Sequence, residues 1–140
     1  MIYALDTNII SFLLRPSMNP EVVKRFEEII AQGHDYVIPP LCHFEISWYL
    51  IRKKATKQTR IFGDIYSRAL TKTRMEEAEV IKAAEIRADL DERGLPIGSD
   101  ADIFIAAHCI VNGYTLVTDN TKDFINIGHN LILDNWKEQT

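Results

Sequence analysis

Cysteine, glycine and proline are scarce: two, six and five residues among 140. Cys42 and Cys109 stand in apolar surroundings with no metal-like or redox spacing. They read as buried small hydrophobes, which excludes a disulfide-stapled scaffold. So little glycine and proline excludes collagen-like and low-complexity chains. No run approaches the roughly 18–20 apolar residues of a membrane-spanning helix. The N-terminal MIYALDTN has a short apolar stretch that meets Asp6 at once, with no basic segment and no cleavage-site pattern. A secretory signal is not expected, and the expected location is cytoplasmic. Catalytic signatures are also missing. There is no GxSxG elbow, GxxxxGK[ST] loop or GxGxxG fingerprint, which leaves hydrolase triads and nucleotide-binding loops unsupported. His34, His43, His108 and His129 show neither HExxH nor Cys/His zinc spacing, and each is expected at the surface or at a helix end.

What is present describes one folded domain over residues 1–140, with 46% hydrophobic, 26% charged and 9% aromatic residues. A chain of this length buries about 70% of its unfolded surface, so a core forms without metal, and any metal serves function. The net charge of −4 hides an asymmetry. Residues 52–74 hold eight Lys/Arg (Arg52, Lys53, Lys54, Lys57, Arg60, Arg68, Lys72, Arg74) against Asp64 alone, a local balance of +7, and the rest of the chain carries −11. Such a stretch holds a polyanion despite an acidic total, because phosphate contacts are short-range at physiological salt. A solvated helix face is its plainer reading.

Short apolar runs alternate with helical patterns. Ile2-Tyr3-Ala4-Leu5, Tyr36-Val37-Ile38, Thr115-Leu116-Val117-Thr118 and Leu131-Ile132-Leu133 are strand candidates. Val22, Val23, Phe26, Ile29 and Ile30 recur at helical spacing until Gly33. Pro39-Pro40 opens a helix from about Leu41 to Arg52. Two further stripes, on Ile61, Phe62, Ile65, Tyr66, Ala69 and Leu70 and on Val80, Ile81, Ala84 and Leu90, predict a helical arm at about 56–92 that carries the basic charge. Residues 101–111 are apolar on nearly every side except His108, which marks an enclosed helix ended by Asn112-Gly113. Short strands joined by long helical crossovers predict an α/β protein: a three-layer α/β/α sandwich around a mostly parallel sheet of four to five strands.

In such sheets the ligand crevice lies beyond the carboxyl ends of the strands. Asp6 follows the first strand, Glu45 lies one turn into the helix after the second, and Asp119-Asn120 follows Thr118. Asp102 opens the enclosed helix. Each has an ordinary explanation. Asp6 caps a helix starting at Thr7; Ser99-Asp100-Ala101-Asp102 matches a capping box; Asn120-Thr121-Lys122-Asp123 caps the next short helix; Glu45 points to solvent. These explanations leave unexplained why the acids fall at strand ends in apolar settings such as Phe44-Glu45-Ile46 and Asp102-Ile103-Phe104. Carboxylates gathered in one pocket repel one another, a cost that a cation relieves. Oxygen ligands without His or thiolate select Mg²⁺ or Mn²⁺ over Zn²⁺. Metal-assisted phosphodiester hydrolysis is the matching reaction class. A phosphoaspartyl mechanism wants Asp-x-Asp after the first strand, and the chain has Asp6-Thr7-Asn8.

Leu5-Asp6-Thr7-Asn8, Glu45 after Pro39-Pro40, Asp102-Ile103-Phe104-Ile105-Ala106-Ala107, Thr118-Asp119-Asn120-Thr121-Lys122-Asp123-Phe124 and Leu133-Asp134-Asn135-Trp136 together resemble the PIN domain, specifically the VapC-type toxin ribonucleases of type II toxin–antitoxin systems. Asp-Thr-Asn alone is weak, but the ordered set spans essentially the whole chain. The resemblance implies a Mg²⁺- or Mn²⁺-dependent endoribonuclease that leaves 5′-phosphate and 3′-hydroxyl ends, is neutralised by a cognate VapB-like antitoxin and forms homodimers. It makes Asp6 and Asp102 the central metal ligands and Glu45 the third acid. A fourth catalytic position falls among Asp119, Asn120 and Asp123, with Asn120 where many PIN nucleases carry Asp. Thr7, Asn8 and Thr118 support the site by hydrogen bonds. Arg52, Lys53, Lys54 and Arg60 are the RNA-phosphate contacts this reading wants, and Trp48, Tyr49 or Tyr66 are aromatics that either stack on a base or pack in the core. Two other readings share the fold: a PIN nuclease of RNA processing or DNA flaps outside any toxin system, and a non-catalytic binding module.

Overall fold

Ile2–Leu5 is too short for a helix and too apolar for a loop, and it forms β1 at the centre of the sheet. The computed structural model describes residues 1–96 and 98–137. After β1 come α1 (Thr7–Leu13), a 3-10 turn (Pro16–Met18), α2 (Pro20–Ala31) and β2 (Asp35–Val37). The chain continues through α3 (Pro40–Lys53), α4 (Thr56–Ser67), α5 (Glu77–Glu92) and α6 (Asp100–Asn112) to β3 (Thr115–Val117), α7 (Thr121–Phe124) and β4 (Ile132–Asp134). The four strands are ordered β2-β1-β3-β4 and pair in parallel throughout.

Successive strand residues point to opposite faces of a sheet. In β1 Tyr3, Ala4 and Leu5 are all buried, as are Thr115, Leu116 and Val117 in β3. Both faces are therefore covered, and the strands read as unbroken apolar runs instead of alternating ones. Trp136 closes the core behind β4, with its ring 5.8 Å from that of Tyr3 and 6.2 Å from that of Phe26. Its indole N–H donates to Asp134 at 3.2 Å.

Helix boundaries follow local chemistry. Pro40 occupies the first turn of α3, where its missing N–H costs nothing. Lys54 ends that helix in the left-handed region at φ 51°, and Gly113 does the same for α6 at φ 72°, where a side chain would be strained. Among the described residues, Ser99 makes one half of the predicted capping box, accepting from the Asp102 amide at 3.1 Å. No side-chain hydrogen bond from Asn120 caps α7. The basic charge lies at the end of α3, along α4 and on its flanks. α5 itself has six acids against two bases and packs along α6, burying Ala83, Ile86 and Leu90.

His108 departs from the expectation of a surface or helix-end position. It is buried on α6, and its Nδ1 lies 2.5 Å from Oε1 of Glu79, itself buried on α5. Tyr114 packs on the imidazole with ring centroids 5.6 Å apart. This polar pair explains how an otherwise apolar helix tolerates a histidine.

From β1 the chain crosses outward to β2, and from β3 it crosses the other way to β4, so the topological switch point lies between β1 and β3. In open α/β sheets the functional crevice forms there, beyond the carboxyl ends of the strands. Asp6 and Thr118 are the residues that immediately follow those two strands.

Candidate active site

Asp6 is both helix cap and crevice acid. Its Oδ1 accepts from the Thr7 amide at 2.8 Å, capping α1 as the ordinary explanation requires. Its Oδ2 accepts from the Thr118 hydroxyl at 2.7 Å, and the Cys42 thiol donates to Oδ1 at 3.6 Å. Asp6 and Thr118 are both buried. Thr118 Oγ1 in turn accepts from the Asn120 amide at 3.0 Å and from Asn8 Nδ2 at 3.5 Å, while Asn8 Oδ1 accepts from the Asp119 amide at 3.1 Å. The loop after β3 is thus tied to the first turn of α1, with Asp6 fixed between them.

Glu45 does not point to solvent. Half-buried on α3, it accepts the Thr7 hydroxyl at 2.9 Å. Asp102 lies in the first turn of α6, half-buried, under a close approach of the backbone at Gly98. A Cβ at position 98 would stand 2.9 Å from Asp102 Oδ2, so any larger residue there would push the Asp102 carboxylate from this position.

Electrostatics show which acids share the crevice. Burial pushes the Asp6 carboxyl above its ordinary value, hydrogen bonds from Thr118, Thr7 and Cys42 pull it back, and the charge of Asp123 pushes it up again. Burial also raises Asp102, followed by the charge of Asp6; Ser99 opposes this, and Asp123 and Glu45 add to it. Asp6, Glu45 and Asp123 are thus near enough to Asp102 for their charges to act on it, and Asp123 acts on Asp6 as well. Asp119 turns away, with its Oδ1 accepting from Asn135 Nδ2 at 3.2 Å, and Asn120 is exposed. Among the three residues left open by the sequence, it is Asp123 whose charge reaches Asp6 and Asp102.

Among the described residues, no three His, Cys, Asp or Glu groups stand in a preset metal-holding cluster. The donor chemistry nevertheless suits a hard divalent cation. The acids supply oxygen only, neighbouring carboxylates help raise Asp6 and Asp102, and the sulfur nearest to Asp6 is kept protonated because burial pushes the Cys42 thiol far up. Cys42 was read from the sequence only as buried. Its place three residues before Glu45, on the same side of one helix, was the available sign that it would reach the crevice.

The basic residues begin at the far end of α3. Arg52 lies seven residues after Glu45, about 10 Å along the helix, with its guanidinium 5.6 Å over the exposed Trp48 ring. Lys53 completes the last turn, Lys54 caps it, and Arg60 follows on α4. Tyr66 is half-buried and packs on His43, with ring centroids 4.5 Å apart.

A raised carboxyl pKa has a defined effect on stability. In the window above the ordinary value of about 3.9 the native state binds more protons than the unfolded state, so stability falls as pH rises through it. In EDTA, the melting temperature of Asp102→Asn is expected to match that of the parent at low pH and to exceed it increasingly as the pH passes upward through the carboxylate range. Thermal melts from about pH 3.5 to 7 measure this; a constant gap would contradict it.

A fully parallel, doubly covered sheet with acids near its switch point is that of an α/β protein whose functional crevice is acidic. The PIN domain family model matches residues 3–130, and the chain belongs to that family. It is 32% identical over 136 residues to Ribonuclease VapC2 of Rickettsia felis, covering 97% of this chain and 98% of that protein. Among solved structures, VapBC2 from Rickettsia felis bound to a promoter DNA fragment aligns with a TM-score of 0.83 and 29% identity, over 97% of this chain and 99% of that one. VapBC-1 from nontypeable Haemophilus influenzae shares the fold, with a TM-score of 0.79 and 24% identity over 99% and 100% of the two chains.

Proposed function

We propose that this protein is a VapC-like toxin: an endoribonuclease that hydrolyses RNA phosphodiester bonds with Mg²⁺ or Mn²⁺ and is neutralised by a VapB-like antitoxin. The observation that carries this reading is the convergence of Asp6, Glu45, Asp102 and Asp123 from separate elements on one crevice, in a chain similar along its whole length to a VapC ribonuclease.

Asp6, Glu45 and Asp102 would hold the cation, with Asp123 completing the acidic rim. When bound, the cation supplies neutralising charge and a nucleophilic water at neutral pH. The chain's own residues supply position. Thr118 and the Thr7 amide fix both oxygens of Asp6, and the Thr7 hydroxyl fixes Glu45. Arg52, Lys53, Lys54 and Arg60 would draw the RNA backbone along α3 against the repulsion of the acids.

Two exposed apolar faces suit partner chains. Phe44, Trp48 and Ile51 recur at helical spacing on α3, and Val80 and Ile81 stand out on α5. An antitoxin and a second copy of this chain are the partners this reading requires. Its support is the assembly of the aligned structures as VapBC complexes.

Purified antitoxin-free protein incubated with total cellular RNA in Mg²⁺ or Mn²⁺ is expected to give discrete cuts that are absent in EDTA and with Asp6→Asn. No cutting by folded protein whose melting temperature rises with the metal would overturn the nuclease reading in favour of a binding module.

A further inference from the structure

The groove between α1 and α3 does not end at the acids. Thr7 and Glu45 meet at one end of it, and at the other Arg15 donates to the Tyr49 hydroxyl at 3.2 Å. Beyond that second contact opens a cavity of about 430 Å³ lined by Phe12, Leu14, Arg15, Met18, Tyr49 and Gln58, among others. Tyr49 is one helical turn past Glu45 on α3, and Arg15 lies two residues beyond the end of α1. The cavity shares α1 and α3 with the crevice, and none of the crevice acids lines it.

Its chemistry is distinctive. Arg15 is exposed, and among the described residues no carboxylate lies within ion-pair distance of it. Among the described residues its guanidinium donates one side-chain hydrogen bond, to the Tyr49 hydroxyl. Phe12, Leu14 and Met18 line the cavity beside Arg15, with Tyr49, Gln58 and Asn19; the Lys137 ammonium lies over the Phe12 ring, 4.9 Å from its centroid, and bonds Asn19 Oδ1 at 2.8 Å and Glu21 at 2.6 Å. A flat apolar wall next to an uncompensated planar cation is what a nucleotide offers partners for: the base packs on the wall, and the phosphate takes the guanidinium fork. The elements that supply Tyr49 and Gln58 also carry Arg52, Lys53, Lys57 and Arg60, so positive charge is concentrated on the two helices beside the cavity.

We infer that this cavity is a nucleotide subsite of the RNA substrate, in which Arg15 binds a backbone phosphate and Tyr49 and the apolar wall receive a base away from the cut bond. This rests on the nuclease reading for its ligand and deepens it by naming where a nucleotide beside the cleaved one is held. An apolar partner helix fits worse, since covering Arg15 without an anion would bury an unpaired charge.

The test uses the full chain carrying Asp102→Asn, so that bound RNA is not cut. Labelled single-stranded oligoribonucleotides of about eight nucleotides and a dinucleotide are titrated by fluorescence anisotropy across a salt series. Adding Arg15→Gln is expected to weaken binding of the longer strand about tenfold and to reduce the slope of log affinity against log salt by about one. It should also remove most of the affinity that the longer strand gains over the dinucleotide. Lys24→Gln, an exposed charge change on α2, controls for net charge and is expected to have a much smaller effect. Equal losses from the two substitutions, or none from Arg15→Gln, overturn the subsite. Cleavage by the Asp102 protein, run in parallel, separates the two readings. Arg15-dependent binding without cleavage keeps the subsite and rejects hydrolysis, whereas cleavage with Arg15-independent binding keeps hydrolysis and rejects the subsite. If Arg15→Gln leaves RNA affinity intact but weakens neutralisation by the antitoxin, the cavity belongs to the protein partner and the proposal fails.

Discussion

Asp102→Asn is expected to lower RNA cleavage by on the order of 10³-fold, about 4 kcal/mol of transition-state stabilisation, while the protein stays folded. The substitution keeps the shape of the side chain and the amide that donates to Ser99, so the start of α6 is preserved. It removes one negative charge from a group raised by burial and by Asp6. The same change that silences the enzyme should therefore make the metal-free chain more stable, the usual relation where a site is held in an electrostatically unfavourable state. Direct calorimetric titration with Mn²⁺ should show weakened binding in the variant. Cleavage within about tenfold of the parent, or a lower melting temperature in EDTA, would remove Asp102 from the central role given to it.

The largest loss of stability is expected away from the crevice. His108→Ala strips the buried Glu79 carboxyl of its partner between α5 and α6. Breaking such a pair from one side costs about 3–5 kcal/mol, seen as a fall of roughly 10–17 °C in melting temperature for a chain of this size. The double variant Glu79→Leu/His108→Leu should recover much of this, because no polar group is then left buried alone. Recovery will be incomplete, since the Glu79 carboxylate also accepts from the Glu76 amide at 3.3 Å at the start of α5. Chemical denaturation of the three proteins measures the cycle, and an additive result would show that the two side chains do not act as a pair.

The strands and the placing of Asp6, Glu45 and Asp102 could be read from the chain because each depends on local pattern. Four apolar runs punctuated by Pro, Gly and Asn mark strands whose ends then carry the acids. Asp119, Asn120 and Asp123 could not be told apart, because they surround a helix of four residues in which each step rotates the side chain by about 100°. Only the packed position of that turn decides which acid faces Asp6. The pairing of Glu79 with His108 was equally hidden. The two are 29 residues apart on different helices, and neither position shows a signal by itself. Cys42 and Gly98 belong to the same class, being ordinary residues whose significance comes from a carboxylate that the fold brings to them.

The acids of the crevice are spread along nearly the whole chain, from Asp6 to Asp123, and the central strand acquires its second neighbour only when β3 is present. Chains are synthesised from the N-terminus at about 5–20 residues per second, so Asp6 waits on the order of 10 s for Asp123 to be made. Throughout that interval the nascent chain holds separate carboxylates and no site. Under the proposed nuclease reading, no cut is possible until the last third of the chain has been made and β3 has joined the sheet.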